Sequence, residues 1–173
     1  AIKEGDAVLA IASNGLHTNG YSLGRLLMDK MPQIKLDKID ELTFIEQIMK
    51  PHIPYYKAIK GMFDSNIIHG MAHITGGGIE GNLCRIIPQG LCAEIDLSKI
   101  RPLPIFSYIQ KLGNIEEEEM LSTYNCGVGL NIVVSQNEKK QVIQAIDEYY
   151  DCYEVGVIKE GVKKIQFKNH IIW

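Results

Sequence analysis

The segment "HGMAHITGGGIEGNLCRIIP", residues 69–88, joins an apolar run to an amphipathic run through three consecutive glycines. The first run, 67–74, has the short apolar character of a buried strand. After the glycines, apolar residues recur on one helical face, and Pro88 ends that run because proline does not continue a helix. The segment therefore predicts a strand, a glycine loop (residues 76–78) and a helix.

Short apolar runs and amphipathic runs alternate along the rest of the chain. Further strands are predicted at 7–12, 91–97 and 128–135, with two more around the turn at Glu160-Gly161. Helices are predicted at 21–30, 40–50, 54–65, 104–113, 114–124 and 137–150, and Asn114 with Glu117 suits a capping box. These spacings differ from a regular βαβ repeat. We therefore expect an α+β fold, a mixed β-sheet with helices packed on it, in a single domain over residues 1–173.

The composition excludes several classes of protein. A net charge of −3 without a basic stripe argues against a nucleic-acid partner. No apolar run approaches the roughly 18 residues that a membrane span needs, and the first residues lack a signal-peptide pattern. The four cysteines are scattered without a C-x-x-C pair, which predicts packed, reduced thiols in a cytoplasmic protein rather than a disulfide framework.

A glycine loop between a strand and a helix suits an anion. Free N–H groups at a helix N-terminus attract negative charge, and residues without Cβ let a phosphate approach closely. The hydroxyl of Thr75, just before the loop, can add a further donor. The alternative is a tight turn in which the glycines provide positive φ and close helix packing. The pattern is not a P-loop, because no G-x-x-x-x-G-K-[ST] is present.

A second polar loop, "SNGLHTNG" at 13–20, also joins a strand to a helix. Its small polar side chains can reach a sugar or a phosphate, since binding residues concentrate on such loops. The alternative is a solvated loop of Asn-Gly turns with a helix cap.

The histidines allow several roles. His69 and His73 are four residues apart on a strand and would share a face, but no third ligand is evident, so we predict no metal site. His73, beside the glycine loop, and His17 can each bind phosphate or move a proton, or each can be a hydrogen-bonded structural residue. His52 and His170 carry no functional signal.

Three segments carry a resemblance to a known family. They are "GDAVLAIASNGLHTNGYSL" (5–23), "HGMAHITGGGIEGNLCRIIP" (69–88) and "GNIEEEEMLSTYNCGVGLNIVV" (113–134). In order and spacing they resemble the C-terminal half of the aminoimidazole ribonucleotide synthetases, the phosphoribosylformylglycinamidine cyclo-ligases. Three relatives in the same superfamily are less similar to this sequence in these loops: thiamine-monophosphate kinase, selenophosphate synthetase and the hydrogenase maturation protein.

The resemblance implies an ATP-dependent ligase of de novo purine biosynthesis. The amide oxygen of formylglycinamidine ribonucleotide is phosphorylated, an amidine nitrogen attacks that carbon, and phosphate leaves. The products are aminoimidazole ribonucleotide, ADP and phosphate, and such chemistry depends on positioning and charge neutralisation. The resemblance also implies a homodimer whose ATP and Mg²⁺ are held mainly by an N-terminal half that is absent here. This fragment alone would then be inactive.

The same resemblance implies the site residues. His73 and His17 are the candidate catalytic residues, and no residue is assigned to a metal. The candidate substrate- and phosphate-binding residues are Ser13, Asn14, Gly15, Asn19, Thr75, Gly76, Gly77, Gly78 and Asn125. The glycines at 127 and 129 are expected to be structural. Two alternatives remain: another ATP-dependent member of the superfamily, and a non-catalytic module that binds a phosphate ligand.

Overall fold

A computed structural model describes the whole chain, residues 1–173. The strands are β1 (Ala7–Ala12), β2 (Lys38–Ile39), β3 (Leu42–Thr43), β4 (Ile68–His73), β5 (Leu91–Asp96), β6 (Val128–Val134), β7 (Cys152–Glu160) and β8 (Ile165–Lys168). The α-helices are α1 (Tyr21–Lys30), α2 (Phe44–Ile48), α3 (Tyr56–Ile59), α4 (Gly78–Leu83), α5 (Pro104–Gly113), α6 (Glu117–Thr123) and α7 (Lys139–Asp147). Short 3₁₀-helices cover Pro32–Leu36, Lys60–Ser65 and Leu97–Lys99.

Six strands form one mixed sheet in the order β4-β6-β1-β7-β5-β8. All neighbours are antiparallel except β5 and β8, which are parallel, and β2 and β3 form a separate hairpin. The expected α+β fold is therefore confirmed. Both strands predicted around Glu160-Gly161 exist, but they do not pair with each other, because β5 lies between them.

Helices cover both faces of the sheet, which explains why the central strand is apolar throughout. Val8 and Ala10 of β1 belong to a cluster of 32 buried residues that includes side chains from α1, α2, α4, α5 and α6. Ala7, Leu9 and Ile11 face the other way, into a cluster of 13 that includes residues of α3 and α7. A strand buried on both faces reads as a continuous apolar run rather than an alternating one.

Five predicted helices start later or end earlier than expected: α4 ends at Leu83, before Pro88, α7 covers only Lys139–Asp147 of the predicted 137–150, and the other three are those predicted at 40–50, 54–65 and 114–124. The helix predicted at 40–50 is reduced to α2, because a hairpin occupies its start, and a capping box between Thr43 and Glu46 begins it. The α-helix predicted at 54–65 gives way to a 3₁₀-helix after Ile59. The capping box predicted at Asn114 is wrong: that residue has φ of 45° and ends α5.

No helix has both the length and the apolar character required to cross a membrane.

The sheet brings the two polar loops to one end. Both β1 and β4 run antiparallel to β6, so β1 and β4 point the same way. Ile11 and His73, at the ends of these two strands, both pair with Leu130 of β6. The segments that follow β1 and β4 therefore emerge on either side of the segment that enters β6.

Candidate functional site

Asn125 holds the loop at 13–20 in place through hydrogen bonds. Ser13 Oγ donates a hydrogen bond to Asn125 Oδ1 at 2.8 Å, and Asn125 Nδ2 donates to the carbonyl oxygens of Gly15 at 2.9 Å and Leu16 at 3.2 Å. Ser13 and Asn125 are both buried. Their polar atoms are thus used within the chain, and they shape the loop from which the other candidates project.

Asn14 and Asn19 connect this loop to its neighbours. Asn14 Nδ2 donates to the carbonyl oxygen of Pro51 at 2.9 Å, and Asn14 Oδ1 lies 2.9 Å from His17 Nε2. Asn19 reaches the glycine loop, since its Oδ1 would lie 3.1 Å from a Cβ added to Gly76. The structure therefore brings the two predicted loops into direct contact.

The glycine loop is organised by Asn82, which the sequence analysis missed. Asn82 Nδ2 lies within hydrogen-bond distance of the carbonyl oxygens of Thr75, Gly76 and Gly78, at 3.3, 3.2 and 2.8 Å. Asn82 Oδ1 accepts from Thr75 Oγ1 at 3.1 Å, so this hydroxyl is already engaged. The available signal was an asparagine on the apolar face of α4, three residues after Ile79, where a buried amide needs partners.

Two of the three glycines have packing roles. Gly77 and Gly78 have φ of 91° and 59°, and their N–H groups donate to the carbonyl oxygens of Ser122 and Thr75. A Cβ on Gly78 would lie 1.7 Å from the carbonyl oxygen of Leu121. The alternative of a tight turn with close helix packing therefore describes these two residues. Gly76 is exposed and is the residue that faces Asn19.

The surroundings of the loop differ in charge on its two sides. A cavity of about 370 Å³ beside Gly77 is lined by Glu80, Glu117 and Glu118. Carboxylates disfavour an anion in that cavity. On the other side of the loop, no carboxylate lies within 4 Å of a Cβ added to Gly76, and the nearest side chain is Asn19. Repulsion of an anion is therefore weaker on the Asn19 side, where the atom nearest Gly76 is the uncharged Oδ1 of Asn19.

Three histidines meet beside the two loops. His17 follows β1, His52 lies between α2 and α3, and His73 ends β4. His52 Nε2 and His73 Nε2 are 3.0 Å apart, and the ring centroids of His17 and His52 are 3.9 Å apart. One ring nitrogen from each of the three lies within 4.8 Å of the other two. His52 is thus a member of the cluster that no feature of the sequence indicated.

The cluster favours neutral imidazoles. Burial lowers the pKa of His17 to about 4, and repulsion from His52 and His73 contributes to this. Burial also lowers the pKa of His73, with a further contribution from His52. Both side chains are therefore uncharged near pH 7, which suits proton acceptance or ligation better than ionic attraction of a phosphate.

Tyr55 supports the cluster from the core. Its hydroxyl donates to the carbonyl oxygen of Ala12 at 2.9 Å, and its ring centroid lies 5.9 Å from that of His52 and 6.1 Å from that of His17. Gly129 makes room for this arrangement, because an added Cβ would lie 1.8 Å from Tyr55 Oη. A structural role for this glycine agrees with the expectation from the sequence.

His69 does not join His73. It pairs instead with Asp6, with 2.7 Å between His69 Nδ1 and Asp6 Oδ2. The register of β4 shifts between Ile68 and Gly70, at His69 itself, which interrupts the alternation that the pair would need. The pair of histidines considered from spacing is therefore absent, and His73 has a different neighbour.

The chain is similar to known proteins over nearly its whole length. The family described as "AIR synthase related protein, C-terminal domain" matches residues 3–168. A phosphoribosylformylglycinamidine cyclo-ligase of Bacillus cytotoxicus is 40% identical over 165 residues, which cover 93% of this chain and 48% of the relative. One of Geobacillus thermodenitrificans is 39% identical over 164 residues, covering 92% and 47%. The chain spans about half the length of the curated relatives it matches.

Solved structures share the fold. E. coli HypE, a hydrogenase maturation protein, is 19% identical with a TM-score of 0.65, covering 98% of this chain and 48% of that one. A thiamine-monophosphate kinase from Stenotrophomonas maltophilia is 15% identical with a TM-score of 0.60, covering 97% and 51%. T. maritima PurL complexed with FGAR is 13% identical with a TM-score of 0.59, covering 100% and 27%.

Proposed function

The chain belongs to the AIR synthase related C-terminal domain family, and from this we propose that it is the substrate-cleft half of an ATP-dependent cyclo-ligase. The reaction would close the imidazole ring of formylglycinamidine ribonucleotide, giving aminoimidazole ribonucleotide, ADP and phosphate. The part of the relatives that this chain does not cover would hold most of the ATP and Mg²⁺ contacts. The complete enzyme would be a homodimer in the cytoplasm.

The observation that carries the proposal is the contact between the two polar loops. Asn19 meets Gly76, and His73 lies on the strand that leads into the same glycine loop. Binding residues are commonly found on loops that a rigid sheet positions. A ribonucleotide bound here would have its phosphate at one end of the contact and its reacting part near the histidines.

We assign the phosphate to the exposed side of the glycine loop. Gly76 offers a close backbone approach, and Asn19 Nδ2, which donates one hydrogen to Thr18 Oγ1, keeps a second hydrogen to donate, whereas the carboxylates beside Gly77 disfavour the opposite side. The remaining candidate residues have structural roles. Thr75, Gly77 and Gly78 give the loop its shape, and Ser13, Asn14, Gly15 and Asn125 hold the facing loop.

We assign proton handling to His73. Ring closure requires the attacking amidine nitrogen to lose a proton, and a neutral imidazole within reach can accept it. His73 is exposed, and its lowered pKa leaves it unprotonated near pH 7. His17 is buried behind His52 and would act by positioning the exposed rings rather than by touching the substrate.

The test uses the complete enzyme that contains this chain. His73→Asn is expected to lower turnover at least tenfold, a typical loss for a general base. His170→Asn is the matched control, because His170 is exposed and contacts Glu117 rather than the histidine cluster. Turnover of His73→Asn equal to that of the unmodified enzyme would overturn the catalytic assignment.

Phosphate binding is tested separately by calorimetric titration with the substrate or its product. Gly76→Asp places a carboxylate at the exposed side of the loop and is expected to abolish binding. Gly61→Asp is the control, since a Cβ there has no neighbour within 4 Å. Undiminished binding by a folded Gly76→Asp variant would remove the phosphate from this loop and favour a different superfamily activity.

A further inference from the structure

We propose that His17, His52 and His73 form a site for one divalent transition-metal ion of the zinc type. The three side chains come from separate segments, and one nitrogen of each lies within 4.8 Å of the others. Neutral imidazole nitrogen is a preferred ligand of zinc, nickel and copper ions. The proposal goes beyond the cyclo-ligase function, which assigns no metal to this chain, and the ion would compete with the proton-accepting role proposed for His73 because both use the same ring nitrogen.

The spacing of two of the three nitrogens is close to what a zinc ion requires. Zinc–nitrogen bonds of about 2.0–2.1 Å in tetrahedral geometry separate two ligand nitrogens by roughly 3.3–3.4 Å. His52 Nε2 and His73 Nε2 share a hydrogen bond at 3.0 Å, so the ion would replace the shared proton and these nitrogens would move apart by a few tenths of an ångström, while the His17 nitrogen, within 4.8 Å of both, would move closer. Both side chains are exposed, and small rotations of exposed rings are inexpensive.

His17 has the features of a prepared ligand. Its Nδ1 is buried and has no hydrogen-bond partner, although buried polar atoms are nearly always paired. Its Nε2 lies 2.9 Å from Asn14 Oδ1, an acceptor, and 3.5 Å from the Asn14 backbone nitrogen, so the shorter contact favours a proton on Nε2 and a lone pair on Nδ1. Histidines that bind metal usually donate their other N–H to an oxygen in this way.

The same asparagine links two of the proposed ligands. Asn14 Nδ2 donates to the carbonyl oxygen of Pro51, the residue before His52. This hydrogen bond fixes the His52 segment relative to the His17 ring. Outer partners that orient ligands are a regular part of metal sites.

The site would be open on one side. Three protein ligands leave a fourth position for water or a ligand atom, as in zinc sites that exchange their fourth ligand. The described cluster contains no cysteine or carboxylate. We therefore expect moderate, reversible binding rather than a permanently filled structural site.

The experiment is a titration of the untagged, chelator-treated chain with ZnCl₂, followed by calorimetry. We expect one ion per chain, with affinity reduced at least tenfold in His52→Gln. His170→Gln, an identical change at an exposed histidine outside the cluster, should bind as the unmodified chain does. A stoichiometry other than one, unsaturable binding, or equal affinities in all three proteins would overturn the proposal.

A second measurement identifies the ligands directly. X-ray absorption of the zinc-loaded chain is expected to give imidazole nitrogens at about 2.0–2.1 Å. Circular dichroism in the absence of zinc shows whether His52→Gln remains folded, and His73→Gln replaces it if it does not. A zinc ion coordinated only by water oxygens would overturn the proposal. Because zinc binding is measured without turnover, its result does not depend on whether the proposed enzymatic activity is correct.

Discussion

Gly129 lies so close to Tyr55 that a Cβ added to the glycine would fall 1.8 Å from Tyr55 Oη. The same Cβ would lie 2.9 Å from Cε1 of His17. The second residue of β6 thus leaves the space in which the tyrosine and the first histidine of the cluster pack. The packing of Tyr55 and His17 therefore requires a residue without a side chain at position 129.

The first prediction is that Gly129→Ala disturbs this packing. Tyr55 must move, which weakens its hydrogen bond to the carbonyl oxygen of Ala12, and overpacking of this kind costs about 1–3 kcal/mol. Urea denaturation measures the free energy of unfolding. Gly24→Ala is the control, because an added Cβ in α1 meets nothing within 4 Å and alanine favours helix by about 1 kcal/mol. Equal effects of the two substitutions would contradict the packing role.

The second prediction concerns the glycine loop. Asn82→Asp replaces an amide donor by an oxygen that faces the carbonyls of Thr75, Gly76 and Gly78. We expect a loss of about 3 kcal/mol or more in the free energy of unfolding at pH 7, because a buried charge is left without a partner. The loss should shrink as the pH falls and the new carboxyl group is protonated.

Asn137→Asp is the matched control for this substitution. Asn137 is exposed, so the same change of charge should alter the free energy of unfolding by less than about 0.5 kcal/mol. If both variants unfold at the same urea concentration, Asn82 does not organise the loop.

The third prediction concerns the thiols. Burial raises the pKa of Cys92 and Cys126 and raises that of Cys152 to about 12, whereas Cys84 is half-buried. The thiolate is the reactive form, so buried protonated thiols are inert. An aromatic disulfide reagent at pH 8 should modify one thiol rapidly in the folded chain and all four in guanidinium. Rapid modification of more than one in the folded chain would contradict the burial.

The fourth prediction is a pH dependence at the far edge of the sheet. Hydrogen bonds from Lys159 and Lys168 lower the pKa of Glu94. A carboxyl group with a lowered folded-state pKa stabilises above its unfolded-state pKa, and this stabilisation is lost as the pH falls through the folded-state value. Thermal unfolding should therefore distinguish Glu94→Gln from the unmodified chain at pH 7, and the difference should vanish in acid. Glu148→Gln, at an exposed position, should show no such trend.

The sequence predicted those parts of the fold that depend on local pattern. The strand at 7–12 and the helix at 104–113 have the predicted bounds, because a doubly buried strand and a proline in the first turn leave local signals. The contact between the loops at 13–20 and 76–78 follows from strand direction and was anticipated only through the family resemblance.

The remaining features depend on long-range packing. His52 lies in an irregular segment, and nothing near it in the sequence indicates that it meets His73. The pairing of β8 with β5 likewise depends on register across the sheet rather than on the turn that follows β7. Asparagine is common both at the N-cap of a helix and in the left-handed conformation after its last turn. Asn114 has the second role, at the end of α5.

The central position of β1 has a consequence for synthesis of the chain. Of the six strands of the sheet, β1 comes first in sequence, yet its neighbours are β6 and β7, which follow it by more than 100 residues. Pairings so distant in sequence form slowly, because a long loop must close before any contact stabilises it. An apolar strand therefore stays unpaired during synthesis until β6 and β7 have been made, and exposed strands of this kind are prone to aggregate.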